Sequence, residues 1–139
     1  MADEAMLESV KQALGYTDEQ WAKWKGNPRN LKVVENMDGF GKYKMVAEVT
    51  SSYGCAAGHK VGDRLVFAGD GTMLCNECPE KVCFGILGPV NSAVPVFFNA
   101  ICRGEDPTQM AFNKVHCMDV GVDHGGWGEV VAEIKVEKV

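Results

Sequence analysis

The distribution of apolar and polar positions divides the chain into a helical beginning, a strand-rich middle and end, and a helical excursion between them. Asp3 can cap a helix that places Met6, Val10, Ala13 and Leu14 on one face, and Gly15 can end it. Thr17 and Gln20 have capping-box spacing and predict a second helix, which carries Trp21 and Trp24 and stops at Gly26-Asn27-Pro28. Tryptophans three residues apart on a short helix read as a packing stripe. From Leu31 the pattern turns to strands. Tyr43, Met45, Ala47 and Val49 alternate with Lys44, Val46, Glu48 and Thr50, as in a half-buried strand. Arg64-Leu65-Val66-Phe67 reads as a short strand, and the Asp70-Gly71 turn can return Thr72-Met73-Leu74 as its hairpin partner.

The excursion opens at Cys78-Pro79-Glu80, where a cap, a proline in the first helical position and a first-turn acid coincide. A second, apolar helix is predicted from about Ser92 to Arg103, with Pro95 in its first turn and Gly104 after its end. Strand pattern resumes in 111–116. It is clearest near the C-terminus, where Val130, Ala132, Ile134 and Val136 alternate with Val131, Glu133, Lys135 and Glu137. The expected fold is α+β: a small antiparallel sheet of four or five strands, with a helical insertion and an N-terminal helical hairpin over residues 1–28. A β half-barrel with helical insertions is the alternative. Residues 1–139 are expected to form a single metal-binding domain.

Composition narrows the function. The net charge of −5 and the absence of a basic run argue against a nucleic-acid partner. The acidic start lacks the pattern of a signal peptide, and the apolar runs read as too short for a membrane span, so the chain is expected to be cytoplasmic. In a reducing compartment its six cysteines read as thiols or metal ligands rather than disulfides.

The cysteines differ by context. Cys55 follows a strand and lies between Gly54 and Gly58, with His59 four residues on. Cys75 and Cys78 form a Cys-x-x-Cys pair, Cys83 follows, and Cys117 precedes the glycine-rich stretch Gly121 to Gly128. Thiolates and imidazoles enclose zinc or an iron–sulfur cluster, so Cys55, Cys78, Cys83 and Cys117 are expected cluster ligands. His59 joins Cys55, Cys78, Cys83 and Cys117 in the wider set of metal-ligand candidates. Cys102, beside Phe97, Phe98 and Ile101, reads as a core residue, and His116 and His124 as structural or surface residues. For an enzyme, the acid/base candidates would be His59, Asp63, Asp119 and His124.

The stretch Cys55-Ala56-Ala57-Gly58-His59-Lys60-Val61-Gly62-Asp63 resembles the Cys-x-x-x-His-Lys-x-Gly-Asp signature of a largely uncharacterised family of short proteins from anaerobic bacteria and archaea. Cys78-Pro79 matches its second element and Cys117-Met118-Asp119 its third, so the resemblance spans about Tyr43 to Val139. It implies a cysteine-rich centre in an anaerobic setting and no particular reaction. The expected function is a small cysteine-ligated metal or iron–sulfur protein, such as a [4Fe–4S] protein, with zinc as the alternative metal. It would serve a larger redox enzyme subunit or a homo-oligomer as an accessory or small subunit. The competing classes are a small metal- or thiolate-dependent enzyme and a structural-zinc interaction module with Trp21 and Trp24 as its contact surface.

Overall fold

The computed structural model describes all 139 residues. It opens with helices α1 (Glu4–Leu14), α2 (Asp18–Lys25) and α3 (Pro28–Glu35), then a 3-10 turn, Met37–Gly41. Strands β1 (Tyr43–Tyr53) and β2 (Arg64–Ala68) follow, then a 3-10 turn at Cys75–Glu77 and helices α4 (Phe84–Asn91) and α5 (Val94–Cys102). Strand β3 (Lys114–His116), a 3-10 turn at Val122–His124 and strand β4 (Glu129–Lys138) complete the chain. The strands form one antiparallel sheet in the order β2-β1-β4-β3. The fold is thus α+β with four strands, and the C-terminal strand lies inside the sheet, as its alternation predicts.

Local chemistry accounts for the helical start. Asp3 accepts the Met6 N–H, and Thr17 and Gln20 exchange both bonds of the capping box. Gly15 closes α1 at φ 64°, a left-handed conformation that glycine adopts without penalty. The strand pattern expected from Leu31 is a third helix instead. Asn27 caps it through the Arg29 N–H, and Pro28 takes the first turn, where its missing N–H costs nothing. Val34, on α3, is buried in a small cluster with Val10 and Trp21. This contact outweighs the β-preference of the Val33-Val34 pair. The expected N-terminal helical pair is thus present as α1 and α2, and α3 adds a third helix after it. Trp21 is buried and stacks on Trp24 with ring centroids 4.9 Å apart, so Trp21 serves packing rather than an open contact surface.

The main core lies between one face of the sheet and the α4–α5 pair. Met45, Ala47 and Val49 from β1, Leu65 and Phe67 from β2, and Val130, Ala132 and Ile134 from β4 meet Ile86, Val90, Phe97 and Ile101. Each large apolar side chain buried there contributes about 1.5–3 kcal/mol relative to an exposed one. The other face carries ion pairs across the strands, among them Arg64–Glu137 and Lys135–Glu48. The stretch Phe84–Cys102 is 19 residues long with mean hydropathy 1.4, long and apolar enough to cross a membrane by length and composition. This corrects the expectation that no apolar run reaches that length. Here the stretch is two helices, which turn Ile86, Val90, Phe97 and Ile101 onto the sheet.

Three further boundaries differ from expectation. The return after Asp70-Gly71 makes a single bridge, Phe67 with Met73, rather than a hairpin strand. Strand β3 is confined to Lys114–His116. The helix expected to start at Cys78 starts at Cys83, whose sulfur accepts the Gly85 N–H. Cys78 is extended (φ −104°, ψ 166°), as a residue before proline prefers, and its sulfur accepts the Val66 N–H of β2 at 3.3 Å. That contact with a strand holds Cys78 away from the α4 terminus.

Candidate metal centre

The end of β1 and the start of β4 cross in close contact, and two glycines make the crossing possible. A Cβ on Gly54 would sit 2.4 Å from the Trp127 carbonyl oxygen, and one on Gly128 would sit 2.2 Å from that of Tyr53. Gly54 is also at φ 60°. From this crossing the chain turns through Cys55–Gly58, closed by a 3.1 Å bond from Gly58 N–H to the Cys55 carbonyl. It returns to β1 at Val49, whose N–H donates to Asp63 and whose carbonyl accepts from Gly62. Cys55 is thereby held at the open end of the sheet.

His59 fastens this loop to α4. It is only 6% exposed, and its Nε2 accepts the Cys83 backbone N–H at 3.0 Å. A backbone amide can only donate, so Nε2 carries no proton and the neutral ring's proton sits on Nδ1, 3.5 Å from the Asp63 carboxylate. The Ser52 hydroxyl donates to the His59 carbonyl at 2.6 Å. The Nε2 lone pair is taken by the Cys83 N–H, so the ring orients Cys83 and does not aim that lone pair at a metal.

Cys83 stands at the N-terminus of α4. Met118 N–H donates to the Gly85 carbonyl at 2.9 Å and ties the segment after β3 to that helix. Cys117 is buried, and its sulfur accepts the Val130 N–H of β4 at 3.2 Å. Asp119 organises the glycine-rich loop. One carboxylate oxygen accepts from Gly121 and Trp127 N–H, each at 3.0 Å, and the other from Gly128 N–H at 3.2 Å. The Gly121 and Trp127 amides hold this carboxyl below the usual carboxylate range, with Gly128 adding to the effect. Asp119 is thus spent on loop structure rather than available as an acid or base.

These segments enclose a mainly apolar pocket of about 200 Å³, lined by Cys55, His59, Cys83 and Cys117 together with Ile86, Met118, Glu129 and Val130. Three of the four expected cysteine ligands meet there. Cys78 does not line it and lies against β2, and Cys75 is exposed on the same turn. Cys102 is buried on α5, where burial pushes its thiol up. His124 is exposed on its 3-10 turn, and His116 Nδ1 lies 2.6 Å from the Cys117 carbonyl. Two polar or soft residues that no sequence motif marks also line the pocket, Met118 and Glu129. Met118 could have been found from its place beside Cys117. Glu129 enters the pocket through the β1–β4 register, which pairs it with Tyr53.

No three His, Cys, Asp or Glu side chains converge, as placed, closely enough to hold one ion. Cys55, Cys83 and Cys117 thus share one pocket without forming a closed ligand set. The donor chemistry fits a thiophilic group: three sulfurs on an apolar wall, with backbone N–H groups directed at two of them. Comparison with protein-family profiles, curated proteins and solved structures returns no match.

Proposed function

We propose that the chain is a small thiolate-ligated metal protein in which Cys55, Cys83 and Cys117 hold an iron–sulfur cluster, and that it serves as an accessory subunit of a redox system. The observation that carries this reading is the meeting of three cysteines, 28 and 34 residues apart in sequence, on one apolar pocket. Core cysteines have no reason to gather at one mouth from three separate element ends. The N–H groups of Gly85 and Val130 already bond to two of the sulfurs, the kind of contact that sets the potential of a sulfur-ligated centre. Such a centre supplies one-electron chemistry, and the chain's own residues bind it, shield it and set its polarity.

Two features favour an accessory role over catalysis. His59 and Asp119, the pocket's acid/base candidates from the sequence, are committed to the backbone N–H groups of Cys83 and of the glycine-rich loop. Exposed apolar side chains adjoin the lining residues: Phe84 follows Cys83, Met118 follows Cys117 and Trp127 precedes Gly128. Exposed apolar side chains next to the lining residues suit a protein partner, here a larger redox subunit that covers the pocket mouth. The test is metal content after single serine substitutions of anaerobically purified protein. Cys55→Ser, Cys83→Ser and Cys117→Ser should each lower iron and sulfide sharply, while Cys102→Ser should leave them unchanged. Equal content in all four variants would refute the ligand set.

A further inference from the structure

Cys75 and Cys78 lie outside the pocket, and the proposed centre uses neither. Residues Cys75–Glu77 form a 3-10 turn, closed by the Cys78 N–H donating to the Cys75 carbonyl at 3.2 Å. Cys78 follows the turn in an extended conformation, and a rise of ~2.0 Å per residue across the turn puts its Cα about 6 Å from that of Cys75. That separation lies within the range a disulfide spans. The turn is also fixed in place. The Glu77 carboxylate accepts two bonds from Lys44 of β1, at 2.8 and 3.0 Å, and Leu74 N–H donates to Val66 of β2 at 2.8 Å. The two thiols differ in access. Cys75 is exposed, whereas Cys78 is half-buried, with its sulfur accepting the Val66 N–H.

We propose that Cys75 and Cys78 form a thiol–disulfide exchange pair acting on a low-molecular-weight disulfide, with Cys75 as the attacking thiol and Cys78 as the resolving one. The Cys75 thiolate attacks one sulfur of the disulfide. A Cys75 mixed disulfide forms, the substrate's S–S bond breaks, and its first half leaves as a thiolate that takes a proton. The Cys78 thiolate then attacks the Cys75 sulfur, closing the Cys75–Cys78 bond and releasing the second half as a thiol. The pair loses two electrons and two protons, and the substrate disulfide gains both. Exposure directs the first step to Cys75, because Cys78 is half-buried with its sulfur held by the Val66 N–H. The turn keeps the second step local in the chain, and that step takes rotation of the Cys78 sulfur off the Val66 N–H. The pair is independent of the pocket, so it operates whether or not Cys55, Cys83 and Cys117 hold a centre.

The test uses the full chain, purified without oxygen and exposed to oxidised glutathione, then acid-quenched, alkylated and mapped by peptide mass spectrometry. The wild type should carry an intramolecular Cys75–Cys78 disulfide. Cys78→Ser should accumulate a glutathione mixed disulfide on Cys75 as its dominant form, and Cys75→Ser should leave Cys78 as a free thiol. Metal content measured in parallel should be the same in Cys78→Ser as in the wild type. Cys75 and Cys78 both recovered as free thiols from the wild type would overturn the proposal, as would a mixed disulfide preferring Cys78. Loss of metal in Cys78→Ser would overturn it too, by making Cys78 a ligand, and would leave the pocket cysteines to be judged by their own substitutions.

Discussion

Replacing His59 by phenylalanine separates the two roles this residue can have. The ring volume is nearly kept and the Nε2 acceptor is removed. The Cys83 N–H, which now donates to His59 at 3.0 Å, would then face an apolar edge in a site where His59 is only 6% exposed. A buried donor left unsatisfied costs about 1–3 kcal/mol. The contact of Nδ1 with Asp63 is lost as well, and Asp63 keeps the Lys60 N–H at 3.1 Å as a partner. With a urea dependence of about 2 kcal/mol per molar, His59→Phe should lower the unfolding midpoint by about 0.5–1.5 M. The assay is urea unfolding of reduced, metal-free protein, followed by circular dichroism. The metal-free condition carries the discrimination. A histidine that acts only as a ligand contributes nothing once the metal is gone, whereas one that anchors Cys83 contributes fully. A metal-free variant within about 0.5 kcal/mol of the wild type, the range of an ordinary surface change, would refute the anchoring role.

Three other outcomes follow from the geometry. Gly15→Ala and Gly54→Ala impose the same left-handed strain, about 1–2 kcal/mol, but only the second drives a Cβ to 2.4 Å from a carbonyl oxygen. Thermal melts should therefore show Gly54→Ala as clearly the more damaging, and equal effects would contradict the backbone crossing. Asp119 has a depressed folded-state pKa, so its stabilising contribution is complete above the unfolded carboxyl value of ~3.9 and is lost as pH falls through the folded value. The stability gap between wild type and Asp119→Asn should accordingly hold constant from neutrality to about pH 5 and narrow below about pH 4, as read by urea unfolding at each pH; a gap independent of pH would contradict it. Removal of the last eight residues takes away all of β4 but Glu129–Val131 and should leave insoluble protein, whereas a soluble truncation with a cooperative melt would contradict the sheet order.

The fold was legible wherever the signal was local. The Thr17–Gln20 capping box and the alternations of β1 and β4 each specify their element from neighbouring residues alone. It was not legible where a distant contact decides between local options. Leu31 to Val34 suit a strand by propensity, and only the packing of Val34 against Val10 and Trp21 makes them helical. Cys78-Pro79-Glu80 has better start signals than Cys83-Phe84-Gly85, yet the Val66 amide holds the Cys78 sulfur and the helix begins five residues later. The same contact explains why the pocket was only partly readable. Cys55, Cys83 and Cys117 sit at element ends that the chain itself announces, whereas the separation of Cys78 from them depends on its contact with β2. The role of His59 was hidden for a similar reason: its partner, the Cys83 amide, is 24 residues away.

The proposal turns on whether an iron–sulfur cluster occupies the pocket of Cys55, Cys83 and Cys117. The most direct measurement is iron, acid-labile sulfide and zinc per chain in protein isolated without oxygen, together with its visible spectrum. The protein should be brown, with iron and sulfide in comparable amounts and broad visible absorption that bleaches on reduction, and should lose all three signals when Cys55, Cys83 and Cys117 are replaced together by serine. Colourless protein with neither iron nor sulfide would contradict the proposal, whether or not zinc is present.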